Sequence, residues 1–221
     1  MNFNFSETAG ITSSNAKAQL EGNKIHTVKF DGCEARDIQG VKDASAVYKV
    51  LEIKFSNDEG IFTHTVWEPR PEDAQDTQSM YGPSPSPLKN MTLLLQHMAA
   101  ALNPELNDKF VKLPKDISWD QLRKVIAQEM AGSIGKTVEI KLLKNKSGQA
   151  CFPGFIGTYD RSGALRLRTN FIGTKLAFTP KETANIVKQE TAKPAAVEPT
   201  FGTELSGSKS NDDLDFNLAT L

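Results

Sequence analysis

The stretch "AVYKVLEIKFSNDEGIFTHTVWEP" (residues 46–69) decides the fold class. It holds two runs rich in Val, Ile, Phe, Tyr, Thr and Trp, the side chains that fit a pleated surface. Asn57–Gly60 separates them with turn-forming residues, and Pro69 stops the second run. The pattern predicts an antiparallel hairpin.

Upstream, "KIHTVKFDG" (24–32) reads as a further strand closed by Asp31-Gly32. Residues 1–22 are rich in Ser, Thr, Asn and Gly and read as a loose segment, with Phe3 and Phe5 as its apolar side chains. Downstream, "PRPEDAQDTQSMYGPSPSP" (69–87) has no apolar rhythm and reads as a long loop. Two helices are expected next. In one, Leu88, Met91, Leu94, Leu95 and Met98 recur at three- and four-residue steps, with Pro104 after its end. The other starts at Ser118 and carries Leu122, Val125, Ile126 and Met130, with Gly132 closing it.

A second β block follows. In "GKTVEIKLLKN" (135–145), Val138, Ile140 and Leu142 alternate with Thr137, Glu139 and Lys141. "QACFPGFIGTYD", "ALRLRTNF" and "TKLAFTP" complete it, and pattern fades from Pro180 on. The expected architecture is mainly β with a helical insert. Its β-β-β-α-β-β order fits an OB-type five-stranded barrel followed by a disordered C-terminal tail. The expected divisions are a flexible segment at 1–22, a domain at 23–180 with its helical insert at about 85–131, and a linker with acidic tail at 181–221.

Composition narrows the function. Cys33 and Cys151 have no CxxC neighbour, which argues against a disulfide scaffold or zinc ribbon. "GSIGKT" lacks the first glycine of a phosphate loop, since Met130 stands there, and a strand follows where a helix is needed. His26, His64 and His97 are scattered, and no nucleophile–base or paired-carboxylate pattern stands out. No catalytic residue, metal or cofactor is therefore expected. "MNFNFSETAG" has neither a basic nor an apolar leader region, and "MTLLLQHMAAAL" is shorter than a bilayer span, so a cytoplasmic location is expected.

Charge is uneven. Residues 132–180 carry eight Lys and Arg against two Asp and Glu, a net of +6, while the whole chain is at −1. Lys141, Lys144, Lys146, Arg161, Arg166 and Arg168 lie in that block, interleaved with Phe152, Phe155, Tyr159 and Phe171. Cations along a backbone path and aromatic faces for bases are what single-stranded nucleic acid needs. Trp67, ending its strand beside the long loop, joins this candidate face. Each aromatic taken singly also fits a core position.

The last 41 residues, 181–221, carry "DDLDF" near their end, at Asp212, Asp213, Leu214, Asp215 and Phe216. This acidic, aromatic-tipped tail and the strand order resemble single-stranded DNA-binding proteins of bacteria and their phages, more in the phage style because the insert is large. The resemblance implies a non-enzymatic protein of replication or recombination. Its core would bind single-stranded DNA, and its tail would recruit replication or recombination proteins. The resemblance also implies the cytoplasm of a bacterial host. In the bacterial pattern the phenylalanine is the last residue, whereas Asn217–Leu221 follow it here. The alternative is a β-rich phage structural or assembly protein with a docking tether.

The tail can reach its own basic block, because about 30 residues of flexible coil span roughly 30 Å. Deleting residues 205–221 is expected to tighten single-strand binding at low salt and much less at high salt, where pairing is screened. Phe216→Ala is expected to leave that effect intact and to weaken capture of partner proteins. Fluorescence titration and pull-down measure the two; unchanged values in the truncation would reduce the tail to a solubilising end.

Overall fold

The computed structural model of the chain describes residues 18–40, 43, 45–79, 82–114, 116–154 and 156–191. The hairpin forms as its residues dictate: β2 (Val47–Ser56) pairs antiparallel with β3 (Ile61–Trp67), in a register that runs from Ser56 opposite Ile61 to Val50 opposite Trp67. The preceding strand is longer than its sequence signal. β1 runs Lys24–Gln39, straight through the Asp31-Gly32 pair read as its stop. Gly32 is a bulge instead, with a φ of 136° that a side chain would resist, and the register to β2 shifts between Phe30 and Gly32.

The long loop is partly ordered as a short hairpin of β4 (Thr77–Ser79) and β5 (Gly82–Ser84). Three helices follow: α1 (Pro87–Leu102), α2 (Pro104–Val111) and α3 (Trp119–Met130). α2 was not legible as a helix, because Pro104 reads as a terminator. It is the first residue of α2, whose N-cap Asn103 accepts from the Glu105 N–H. Ser118 caps α3 as its position suggested, in a reciprocal box with Gln121.

The second β block comprises β6 (Thr137–Lys144), β7 (Ala150–Cys151), β8 (Gly157–Tyr159), β9 (Leu165–Leu167) and β10 (Ile172–Gly173). The chain then forms α4 (Pro180–Thr191), inside the region read as a disordered linker. Its start signal was present in "TPKE". Thr179 Oγ1 accepts from the Glu182 N–H at 3.3 Å, and Glu182 accepts from the Thr179 N–H at 2.7 Å.

The result is mainly β: a curled antiparallel sheet in the order β10-β6-β1-β2-β3, with β7 also on β6 and β8–β9 paired separately. Its inner face, from Phe30, Leu51, Ile53, Phe55, Ile140 and Leu142, joins one buried cluster with Met98 and Leu102 of α1 and Ile126 and Met130 of α3. β6 pairs β1 as far as Lys29, Gly135 and Lys136 extend the backbone bonding to Phe30, and α3 packs beside β1 farther on. Arg123, 3% exposed, donates to the Arg36 carbonyl at 2.7 Å and is ion-paired to Asp37 and Asp120 at 2.7 and 2.5 Å. No helix among the described residues is long and apolar enough to cross a membrane.

Removing Arg123 takes the side-chain donor from the part-buried Arg36 carbonyl and from Asp37, and leaves Asp120 with Lys124. Arg123→Met is expected to cost about 3 kcal/mol. Lys124→Ala, which removes an exposed ion pair to Asp120, is expected to cost under about 1 kcal/mol. Urea unfolding of both variants gives the comparison.

Candidate nucleic-acid interface

β3 is an edge strand, and its N-terminal end is covered. Ile61 donates to the Ala18 carbonyl and accepts from the Leu20 N–H, each at 2.8 Å. Gly60 permits that crossing, since a Cβ there would stand 2.2 Å from the Ala18 oxygen. Toward its other end β3 borders a cleft of about 620 Å³, walled by Trp67, Arg70 and the Leu88–Met91 turn of α1, with Phe152 among its lining residues. Trp67 is 54% exposed and rests edge-on against Tyr48, itself 47% exposed, with ring centroids 5.8 Å apart.

Pro153 and Gly154 also line a second cleft, of about 520 Å³, that reaches Arg168, Lys181 and Glu182. Arg168, Thr169 and Thr179 in turn line a third, of about 400 Å³, which holds Lys175. The second hollow shares lining residues with each of the other two, and the series, called the groove below, leads from an exposed tryptophan to a cluster of cations. Among the described residues, Arg168, Lys175 and Lys181 have no side-chain ion-pair partner.

The residues picked from sequence fall into separate places. Trp67 and Arg168 line the groove. Lys141 was expected on an open polar face but is 1% exposed, because α4 and the segment before it lie over β6. Its ammonium donates to Thr169 Oγ1, the Ala177 carbonyl and Glu182 Oε2. Phe152 is 4% exposed and sits among the rings of Phe55, Phe62, His64 and Phe171. It is a core residue at the cleft wall, and Phe171 is wholly buried. Tyr159 donates to Asp76 at 2.6 Å and accepts from Lys89 at 2.8 Å, tying the β8–β9 hairpin to α1.

Arg166 is exposed but paired with Asp160 at 2.9 Å, and the hydrogen bonds of Ser162, Arg166 and Ala164 hold that carboxyl well below the usual carboxylate range. Arg161 is exposed beside the same hairpin. Lys144 lines another hollow, beside Leu20 and Gly22, and Lys146 is exposed in the turn after β6. Phe155 and the tail residues Asp212, Asp213, Leu214, Asp215 and Phe216 lie outside the described residues.

Sequence reasoning passed over Arg70, Lys175 and Lys181. Lys181 lies within the Thr179–Glu182 capping box. Arg70 falls in the proline-rich loop, and Lys175 carries no local signal, being a non-glycine residue at a φ of 54°. No family model, curated protein or solved structure matches the chain.

His64 lines the first cleft between the rings of Phe62 and Phe152, and burial lowers its pKa from 6.5 to about 4. A histidine with a depressed folded pKa takes its proton more readily when unfolded, so acid favours unfolding. Its contribution is complete above about pH 6.5 and is lost as pH falls toward 4. Between pH 7.5 and 5 the loss from this group is about 2 kcal/mol. Urea midpoints across that range should fall less steeply in His64→Leu than in the natural chain. An identical slope would show that His64 titrates freely.

Proposed function

We propose that this protein binds single-stranded DNA without catalysing a reaction on it, in replication or recombination. The observation that carries the reading is the groove itself, with the exposed Trp67 at one end and, at the other, Arg168, Lys175 and Lys181, which have no side-chain ion-pair partner among the described residues. Bases stack on sequence-tolerant aromatic faces, and each such stack is worth about 1–3 kcal/mol. Phosphates draw the cations, and release of counterions from the strand drives association.

The sheet supports the same reading at the level of fold. β1 lies between β2 and β6, and the helices fall between β3 and β6, an arrangement that suits an OB-type barrel. The acidic tail at Asp212–Phe216 would recruit replication or recombination proteins, with Leu214 and Phe216 as anchors among aspartates that meet basic groups on the partner.

Titration with oligo(dT) at several salt concentrations is the test. Replacing Arg168, Lys175 and Lys181 by glutamine should flatten the dependence of log affinity on log salt by about 2, at roughly 0.7 per phosphate contact. Oligo(dT) should also quench tryptophan fluorescence, and Trp67→Phe should remove most of that quenching. Trp119 is 9% exposed, with its ring N–H donated to the Lys49 carbonyl, and should report little. A folded triple variant with the natural salt slope would move the binding face elsewhere.

A further inference from the structure

Glu182 is a carboxylate in a cleft whose other charged lining residues, Arg168 and Lys181, are cations. It is the group that binds the buried ammonium of Lys141, at 2.8 Å, while Thr169 Oγ1 lies 2.6 Å from the same ammonium and 3.1 Å from the carboxylate. The Glu182 side chain is 12% exposed, so the cleft reaches it, whereas Lys141 behind it is at 1%.

The helix that supplies this carboxylate is docked in an unusual way. A surface helix ordinarily holds its place by burying an apolar stripe. α4 buries none of its residues. Beyond Glu182, its side-chain hydrogen bonds to the sheet region, among the described residues, are the long ones of Gln189 to Asn23 and to the Lys144 carbonyl, at 3.3 and 3.4 Å. The Lys141–Glu182 ion pair, these two long hydrogen bonds and the half-buried Ile186 hold α4 over β6.

We infer that Lys141 and Thr169 form a phosphate position of the groove, occupied in the free protein by Glu182, and that a phosphodiester displaces Glu182 together with α4. The inference rests on the proposed single-strand reading. A phosphodiester carries the same single negative charge as the carboxylate and accepts from the same ammonium and hydroxyl. Exchange of one anion for another also spares Lys141 the cost of a buried charge left alone. Arg168 and Lys181 flank the position and would hold neighbouring phosphates, giving the strand an advantage over a carboxylate on a weakly docked helix.

Amide hydrogen exchange of the natural chain, with and without oligo(dT), tests this directly. The amides of residues 183–191 should exchange faster when the strand is bound, while those of β9 slow. Glu182→Gln should bind oligo(dT) about tenfold more tightly at low salt, and the double variant Lys141→Gln with Glu182→Gln should lose that gain. If oligo(dT) binds yet α4 keeps its protection and Glu182→Gln binds no tighter, Glu182 is only a structural anchor and the single-strand reading stands. If the natural chain does not bind oligo(dT) at any salt, the groove reading itself fails, and the displacement with it. Should Glu182→Gln fail to fold, as judged by circular dichroism, the exchange pattern of the natural chain decides.

Discussion

β1 must serve two partners at once, and the rest of the sheet depends on how it does so. Its first six residues pair with β6, and its pairing with β2 starts at Lys29, where β6 leaves. A flat strand would carry both neighbours in one plane. The bulge at Gly32 instead bends the strand at the handover and curls the sheet. That curl brings the inner faces of β1, β2 and β6 around one cluster with α1 and α3.

The handover leaves an edge of β1 to be satisfied, and α3 answers it with a buried cation rather than another strand. A second buried cation, Lys141, lies under α4. The two solve the same problem by different means. Arg123 draws on two aspartates and a backbone carbonyl from the strand it covers, one of those aspartates on its own helix. Lys141 draws its counter-charge from a helix with no buried residue. The first arrangement reads as permanent scaffold. The second stands at the wall of the groove and has the features of an exchangeable contact.

Much of the fold was legible because local chemistry and tertiary structure agree. The β2–β3 hairpin, α1, α3 with its Ser118 cap, and β6 all follow from period, cap and turn residues within a short window. The misses have specific causes. Gly32 reads equally as a stop or as a bulge until a neighbouring strand shows whether pairing continues beyond it. Pro104 both ends one helix and begins the next. "TPKE" holds a complete capping box, but the polar sequence after it hides the helix from any search for an apolar stripe.

The sequence by itself determined the alternation of strand faces, the helix starts, and the concentration of positive charge in residues 132–180. Those depend on neighbours along the chain, and they survive folding unchanged. Only the tertiary structure decided which charges face solvent. Lys141 and Arg168 are indistinguishable as alternating strand cations, yet α4 buries one and leaves the other in the groove. The aromatics divide likewise: Phe152 and Phe171 fill the core, while Trp67 ends a strand that, among the described residues, has no further strand beyond it. Strand period fixes the direction in which a side chain points, but what covers it comes from segments distant in sequence, and local pattern carries no record of them.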